Sequence, residues 1–548
     1  MKKQSYQRIL AVLISLMILL TAGMCIVGAG LLQTREDSPD ILPEATATAD
    51  SGDLLMSSDL APDPAKWFLP YDGDLTDADG NPVRLSALRG KTTILLFWSS
   101  WCPDCQVYLA GEFGAAVQAA QAAGAQVVLV CREGIRGDTR EKAEAELTEC
   151  GITGIPLYMD TDAALFHTLG LRSVPSLAVF DSQGHLLRAT ADMPNADEMA
   201  QLLDAAQHPA QQTLAFLNQL IQADGAIPST YTLSGGAVHP GDTVLSETMG
   251  QTMLYAAQTE DAALFSDAWR YVRDKMTVGG LTVWRIQAGE KAAANASLDD
   301  LRILRALMEA DAVWGGYERE IRERAAALYT ACVVDDALVS FANVDGSGRG
   351  DSVTLCYLDV QTMRALSAYD VRWTAVANRS EAILTDSRAL MSSELPLYRA
   401  SYTPAKDTFS NAAAQMTEAA LTILHAAQIS AAGEQTLDWL DAQLGAGAIY
   451  AQYASNGQVG YGFRYEAIGS YAVLAQVGAV SGHTELARLS LAKLENRRIA
   501  TGTFAGAYGS IKGETSYTFD ELEALFALMP MKPVSYTHLR AHETSLHL

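Results

Sequence analysis

Two cysteines, Cys102 and Cys105, lie two residues apart in the stretch LLFWSSWCPDCQVYL, between an apolar run and a helical pattern. The run TTILLFW before them predicts a short buried strand, and the residues after them predict a helix. Cys102 is therefore expected at a helix N-terminus, where the helix dipole favours the thiolate, the nucleophilic form of cysteine. Pro103 suits the first helical turn because its missing N–H loses no hydrogen bond there.

Three roles are open to this pair: a redox dithiol, an inert structural disulfide, or part of a zinc site. Zinc requires two more ligands, and no second CxxC or nearby histidine pair supplies them. Cys105 follows Cys102 by one helical turn, so it can attack a mixed disulfide formed there. We predict a redox dithiol that needs no metal and no cofactor, with free buried thiols at Cys131 and Cys150.

The residue between the sulfurs bears on the direction of electron flow. Asp104 places a carboxylate beside Cys102, which disfavours a thiolate there and opposes the helix dipole. A less stabilised thiolate gives a less oxidising couple, so this residue predicts a reductant or an isomerase.

The chain around the cysteines alternates strands and helices from about residue 67 to residue 207. The strands TTILLFW, AQVVLVC and SLAVFD are separated by helical stretches, a pattern typical of an α/β layer structure. In LRSVPSLAVFD, Pro175 lies just before a strand. A cis peptide bond there can present the backbone of Val174 to a bound cysteine-containing chain.

Residues 67–207 resemble the thioredoxin-like domains of membrane-anchored, extracytoplasmic thiol–disulfide oxidoreductases. The stretches that match are LTDADGNPVRLSALRGKTTILLFWSSWCPDC, SVPS before LAVFD, and DSQGHLLR as a final hairpin. The resemblance implies a thioredoxin-like fold with a cis Pro175. It also implies a catalytic pair in which Cys102 attacks and Cys105 resolves. The implied partners are a cysteine-containing client protein or a membrane electron donor.

The N-terminus predicts a location. Residues 9–32 carry no charge and follow a basic segment, and about 20 apolar residues span a bilayer. We expect residues 1–32 to form an uncleaved signal-anchor with a cytoplasmic N-terminus, although a cleaved signal or a lipid-attached Cys25 is an alternative. Residues 33–66, rich in Pro, Asp, Ser and Ala, predict a flexible linker. The net charge of −25 argues against nucleic acid as a partner.

After residue 208 helical patterns dominate. Residues 209–533 predict a second, all-α domain, and their number suits a closed (α/α)6 toroid better than a simple bundle. The last stretch, VSYTHLRAHETSLHL, breaks the composition abruptly. We interpret residues 534–548 as a non-native tail and exclude them from the fold.

Three stretches of the helical domain resemble glycoside hydrolase family 8: LSETMGQTMLYA, GGLTVWRI and NASLDDLRILRALMEADAVWG, with YLDVQTM and DVRW further on. That family has paired-helix toroids that hydrolyse β-1,4-linked glycans with inversion. The resemblance implies that Glu247 is the general acid and Asp300 the second of two acids. Leu298 replaces the first of those acids, and Asp299 fills the small-residue position between them. Asp299 is a candidate to compensate in part for the lost acid, although its side chain is expected to point elsewhere.

The general base has no acid at the matching place, so Asp359 and Asp407 are only candidates. Trp284 is a candidate for stacking on a sugar ring, with core packing as its alternative. The sequence thus predicts a membrane-anchored thiol–disulfide oxidoreductase joined to a family 8-like toroid that acts on a β-1,4-linked polysaccharide. The alternative is a degenerate glycan-binding toroid that positions the redox domain at the cell surface.

Overall fold

The computed structural model describes residues 75–529, apart from residues 170, 181, 183, 185 and 192. The predicted membrane segment at residues 9–32, the linker at residues 33–66 and the tail at residues 534–548 lie outside the described residues. Among the helices that are described, none is both long enough and apolar enough to cross a bilayer. The described chain divides into two compact units between Met199 and Ala200.

The first unit is built on one seven-stranded sheet with the order β2-β1-β5-β4-β3-β6-β7. Its strands are β1 (Leu75–Thr76), β2 (Pro82–Val83), β3 (Thr93–Trp98), β4 (Gln126–Glu133), β5 (Leu157–Thr161), β6 (Ser176–Phe180) and β7 (Leu186–Thr190). Strands β3, β4 and β5 run parallel, whereas β6 pairs antiparallel with β3 and with β7. Every residue of β3 is buried, as expected for an uninterrupted apolar run in a central strand.

The helices of this part of the chain are α1 (Pro103–Ala110), α2 (Phe113–Ala122), α3 (Arg140–Glu149), α4 (Ala164–Thr168) and α5 (Ala196–Gln207). Helix α1 begins directly after the turn that follows β3. Strands β6 and β7 form the final hairpin that the sequence predicts. The α/β prediction for this domain is therefore confirmed.

The second unit is a ring of paired helices. Six inner helices pack against one another in order, and the last packs against the first, which closes the ring. The inner helices are α7 (Ser246–Gln258), α9 (Ser297–Trp314), α11 (Val360–Leu366), α13 (Met416–Gln428), α15 (Ile468–Ser481) and α17 (Thr518–Leu528). The outer helices are α6 (Pro209–Leu220), α8 (Ala262–Tyr271), α10 (Glu318–Cys332), α12 (Trp373–Leu384), α14 (Glu434–Gly445) and α16 (Thr484–Glu495). This is the predicted (α/α)6 arrangement.

The all-α prediction needs one correction, because short strands lie between the helices of the ring. They are β8 (Thr230–Ser234), β9 (Ala237–Pro240), β10 (Thr243–Leu245), β11 (Thr277–Val278), β12 (Leu281–Thr282), β13 (Arg285–Gln287), β14 (Glu290–Lys291), β15 (Val333–Val334), β16 (Ala337–Leu338), β17 (Val353–Thr354), β18 (Ser401–Thr403), β19 (Thr408–Phe409), β20 (Ala414–Gln415), β21 (Gln452–Tyr453) and β22 (Thr515–Tyr517). Most are two or three residues long, too short for an alternating pattern to stand out in the sequence.

Candidate functional site

The dithiol lies where the sequence predicts it, at the start of α1. Cys102 is the N-cap of this helix and Pro103 is its first residue. The Cys105 backbone N–H donates to Cys102 Sγ at 3.3 Å, so the sulfur receives a hydrogen bond from the helix N-terminus. Cys102 is 4% exposed and Cys105 is fully buried. Burial raises the pKa of the Cys105 thiol well above its ordinary value, which fits a resolving cysteine rather than an attacking one.

The segment before β6 contacts the sulfur of Cys102. The Val174–Pro175 peptide bond is cis, as the resemblance implied. The Cys102 thiol donates to the Val174 carbonyl oxygen at 3.5 Å. The structure therefore brings Cys102, Cys105, Val174 and Pro175 together. A thiol held against the backbone of this segment is placed to exchange with a cysteine-containing peptide that binds there.

A second layer of polar groups lies behind the dithiol. The buried Asp138 carboxylate accepts hydrogen bonds from the Ser100 backbone N–H at 3.1 Å and from the Cys131 thiol at 3.5 Å. Burial is the main reason why the pKa of Cys131 is raised, and Asp138 adds to the effect. Cys131 is a free buried thiol as predicted, whereas Cys150 is free but only partly buried. Sequence reasoning missed Asp138.

In the ring, Glu247 is the second residue of α7, and its side chain is 31% exposed. Burial raises the pKa of Glu247 to about 7, and the nearby negative charge of Asp299 contributes in the same direction. Arg302 opposes this shift, since its Nη1 lies 3.9 Å from Glu247 Oε1. A carboxyl that stays protonated near neutral pH can act as a general acid.

The side chains of the two acids at the start of α9 point in directions that differ from the expectation. Asp300 is buried, and its carboxylate accepts hydrogen bonds from the Thr282 backbone N–H at 3.0 Å and from the Asn295 amide at 2.7 Å. Asp299 was expected to point elsewhere, but it is the acid that lies near Glu247. Its Oδ1 is 3.8 Å from Arg302 Nη1, and its Oδ2 accepts a hydrogen bond from the Ser246 hydroxyl at 2.5 Å.

The two candidates for the general base occupy different places. Asp359 is the N-cap of α11 and accepts hydrogen bonds from the Thr362 backbone N–H at 2.9 Å and from its hydroxyl at 2.5 Å. Asp407 is exposed and binds Arg388 at 3.0 Å and the Tyr402 hydroxyl at 2.8 Å. The charge of Asp359 acts on Arg302, the residue that also faces Glu247, so Asp359 is the better placed of the two candidates.

Trp284 is fixed beside Glu247 through its backbone. Its carbonyl oxygen accepts hydrogen bonds from the Ser246 N–H at 3.0 Å and from the Ser246 hydroxyl at 3.3 Å. The half-buried indole stacks with the Arg285 guanidinium, whose central carbon is 4.6 Å from the ring centroid. One aromatic face is therefore already covered by a cation.

Sequence reasoning missed three further charged residues at this end of the ring: Arg302, Glu418 and Glu523. Buried Glu523 accepts hydrogen bonds from Gln251 at 2.6 Å and from Gln476 at 2.8 Å, and its charge acts on both Glu247 and Arg302. Burial raises the pKa of Glu418 to about 7. The signal shared by Glu418 and Glu523 was an acid within the first two turns of an inner helix, which is easily mistaken for a favourable interaction with the helix dipole.

Comparison with known proteins agrees with this division of the chain. Residues 69–189 match the AhpC/TSA family, and residues 229–389 match the Glycosyl hydrolases family 8. The chain thus joins a thioredoxin-like domain, similar to thiol–disulfide oxidoreductases, to a domain similar to the glycosyl hydrolases of family 8.

Individual relatives each match only part of the chain. Endoglucanase A of Acetivibrio thermocellus is 32% identical over 161 residues, which are 26% of this chain and 33% of that protein. Thiol:disulfide interchange protein HelX of Rhodobacter capsulatus is 25% identical over 193 residues, 35% of this chain and 93% of that protein. A solved structure described as a novel alpha-amylase from Clostridium perfringens has a TM-score of 0.53 and 26% identity, covering 58% of this chain and 96% of that one. The chain spans about a third of the length of two relatives that it matches.

Proposed function

We propose that the protein is a membrane-anchored, extracytoplasmic thiol–disulfide oxidoreductase whose toroid engages a β-1,4-linked polysaccharide. The position of Cys102 carries the redox part of this proposal. Its sulfur caps α1 and receives the Cys105 N–H, an arrangement that favours a nucleophilic thiolate. The uncharged residues 9–32 and their basic flank support the anchor and a cytoplasmic N-terminus.

The exchange proceeds in two balanced steps. The Cys102 thiolate attacks one sulfur of a client disulfide, which forms a mixed disulfide and releases the other client sulfur as a thiolate. Cys105 loses its proton and attacks Cys102 Sγ, which releases the second client sulfur and leaves the Cys102–Cys105 disulfide. Two electrons pass to the client, and a membrane electron donor restores the dithiol. Every step is reversible, so a client dithiol that is a stronger reductant than this couple reverses the flow and leaves as a disulfide.

Trapping of the client tests this function. In Cys105→Ser the first step occurs but the resolving sulfur is missing, so a mixed disulfide accumulates at Cys102. The matched control, Cys102→Ser, lacks the attacking sulfur and traps nothing. Non-reducing electrophoresis of cells that express each full-length variant, followed by mass spectrometry, identifies the bound protein. Equal adducts on both variants, or none on either, would contradict the redox proposal.

A second activity is supported by the raised pKa of Glu247. As general acid it protonates the leaving glycosidic oxygen, while a base activates water on the opposite face of the sugar. The test is product formation from β-1,4-glucan, xylan and chitosan by the full chain, with Glu247→Gln as control. Product that depends on Glu247 supports hydrolysis. Binding without such product supports the alternative of a degenerate glycan-binding toroid that positions the redox domain at the cell surface.

A further inference from the structure

The strand pairing behind the dithiol places a buried cation next to the active-site turn. In the parallel pair of β3 and β4, Trp98 lies opposite Cys131, so the next residues, Ser99 and Arg132, also face each other. Neighbouring strands are only about 4.8 Å apart. The Arg132 Nε donates to the Ser99 hydroxyl at 3.3 Å, and the Ser99 carbonyl accepts the Cys102 N–H at 3.1 Å.

Aromatic rings hold the guanidinium in this position. Its central carbon lies 4.7 Å from the centroid of Phe166 and 5.7 Å from that of Trp101, the residue that precedes Cys102. The side chain is only 8% exposed. Among the residues that the structure describes, none forms a salt bridge with Arg132. A buried cation without a carboxylate partner is costly unless another negative group compensates it.

Four buried groups near Arg132 can supply this negative charge: the sulfurs of Cys105, Cys102 and Cys131, and the carboxylate of Asp138, with the two active-site sulfurs acting most strongly. Burial lowers the pKa of Arg132, and negative charge on Cys105 and then on Cys102 acts in the opposite direction. In return, the positive charge of Arg132 partly offsets the effect of burial on the Cys105 thiol. Arg132 therefore acts on both members of the couple from inside the domain, whereas helix α1 acts from its N-terminus.

Resting on the proposed redox function, we propose that Arg132 sets the reduction potential of the Cys102–Cys105 couple by stabilising its thiolate forms with a buried positive charge. Thiolates exist only in the reduced state, so this charge makes the couple more oxidising. The exposed Asp104 has the opposite sign but is screened by solvent, whereas Arg132 acts in a medium of lower dielectric. The effect of Arg132 therefore exceeds that of Asp104.

The test is a glutathione redox titration of the purified full chain, with the Cys102–Cys105 state measured by alkylation and mass spectrometry. Arg132→Gln keeps a donor for Ser99 but loses the charge, and Arg132→Lys keeps the charge. We expect Arg132→Gln to shift the equilibrium constant toward the disulfide by at least about threefold, because the thiolates lose the attraction of a buried positive charge. Arg132→Lys should stay within about twofold of the wild type, because its charge is retained.

The outcomes separate the two proposals. If the wild-type dithiol never equilibrates with glutathione, the redox function itself is wrong. If the wild type equilibrates and Arg132→Gln has the same equilibrium constant, the role of Arg132 is wrong. Arg132→Met, which fills the same space between the two aromatic rings, provides a second neutral variant should the glutamine variant misfold. A shift in both neutral variants with none in Arg132→Lys supports the proposal, because a purely structural role would not follow the charge.

Discussion

Asp299 and Asp300 are adjacent in helix α9, yet their carboxylates bind different parts of the ring. Asp299 accepts from the Ser246 hydroxyl and lies 3.8 Å from Arg302, on the side of Glu247. Asp300 accepts from the Thr282 N–H and the Asn295 amide, both of which are buried. Successive residues of a helix differ in direction by about 100°, so only one of the two can face the ring centre. Asp299 therefore contributes its charge to the surroundings of Glu247, whereas Asp300 accepts hydrogen bonds that stabilise the fold.

Replacing Asp300 with alanine is expected to destabilise the toroid. The change leaves the Thr282 N–H and the Asn295 amide without their acceptor in a buried site. An unsatisfied buried donor costs about 1–3 kcal/mol, so the free energy of unfolding should fall by about 2–4 kcal/mol. Urea denaturation of the full chain measures the loss. Asp274→Ala is the matched control, because Asp274 is exposed and pairs only with the neighbouring Arg273. Equal stability of the two variants would contradict a structural role for Asp300.

Replacing Asp299 with asparagine is expected to change the pH dependence of the proposed glycan hydrolysis. A general acid works only while protonated, so the rate should fall as the pH rises past the pKa of Glu247, about 7. The negative charge of Asp299 raises that pKa, and the substitution removes the charge. The alkaline limb of the rate against pH for β-1,4-glucan should therefore move to lower pH, by less than about one unit for a single screened charge. Asp300→Asn should leave the limb in place. An unmoved limb in Asp299→Asn would disprove the coupling.

How well the sequence predicted these sites depends on how far apart in the chain the interacting residues lie. Cys102 and Cys105 were found because a strand, a turn and a helix N-terminus are consecutive in the chain. Arg132 was missed because it reaches Ser99 only through the pairing of β4 with β3, more than thirty residues away. A single sequence contains no pattern that predicts which residues of two paired strands lie opposite each other.

The same reasoning explains the error at α9. The motif NASLDDL identifies the helix start, but which aspartate faces Glu247 depends on the rotation of the helix about its axis. That rotation is set by packing against α7 and by the hydrogen bonds of Thr282 and Asn295 to Asp300. The helix could be predicted from the sequence, whereas its rotation depends on contacts with distant elements.

The stability of the toroid is expected to decrease as the pH rises, and Glu521 should account for part of the change. This fully buried carboxylate accepts hydrogen bonds from Tyr231 and from the Tyr508 N–H, and burial raises its pKa from 4.5 to about 7. The folded state then holds a proton that the unfolded state releases between these two values. The contribution is fully present below pH 4.5 and is lost as the pH rises through 7.

A shift of this size corresponds to a loss on the order of 3 kcal/mol between pH 4.5 and pH 8. Glu521→Gln cannot titrate but keeps an oxygen that accepts from Tyr508. Thermal melts of the full chain, followed by helical circular dichroism at pH 5 and pH 8, should show a smaller pH-dependent decrease in the variant than in the wild type. The same decrease in both proteins would rule out Glu521 as a source of the effect.

The cysteines should differ in reactivity according to their surroundings. Cys102 lies at the helix N-terminus and is 4% exposed, whereas Cys105 and Cys131 are fully buried and burial raises the pKa of each. Because only an accessible thiolate reacts with iodoacetamide, the reduced native chain should be alkylated first at Cys102. Cys150, which is partly exposed beside the Glu146 carboxylate, should react more slowly, since burial and that charge raise its pKa.

Time-resolved alkylation with peptide mass spectrometry measures each rate separately. We expect Cys102 to react at least about tenfold faster than Cys131, the size of difference that helix N-termini and burial commonly produce between thiols. Unfolding in guanidinium should bring all the rates close together, which provides the internal control for intrinsic reactivity. If Cys131 reacts as fast as Cys102 in the native chain, Cys102 has no special activation, and the assignment of Cys102 as the attacking sulfur fails with it.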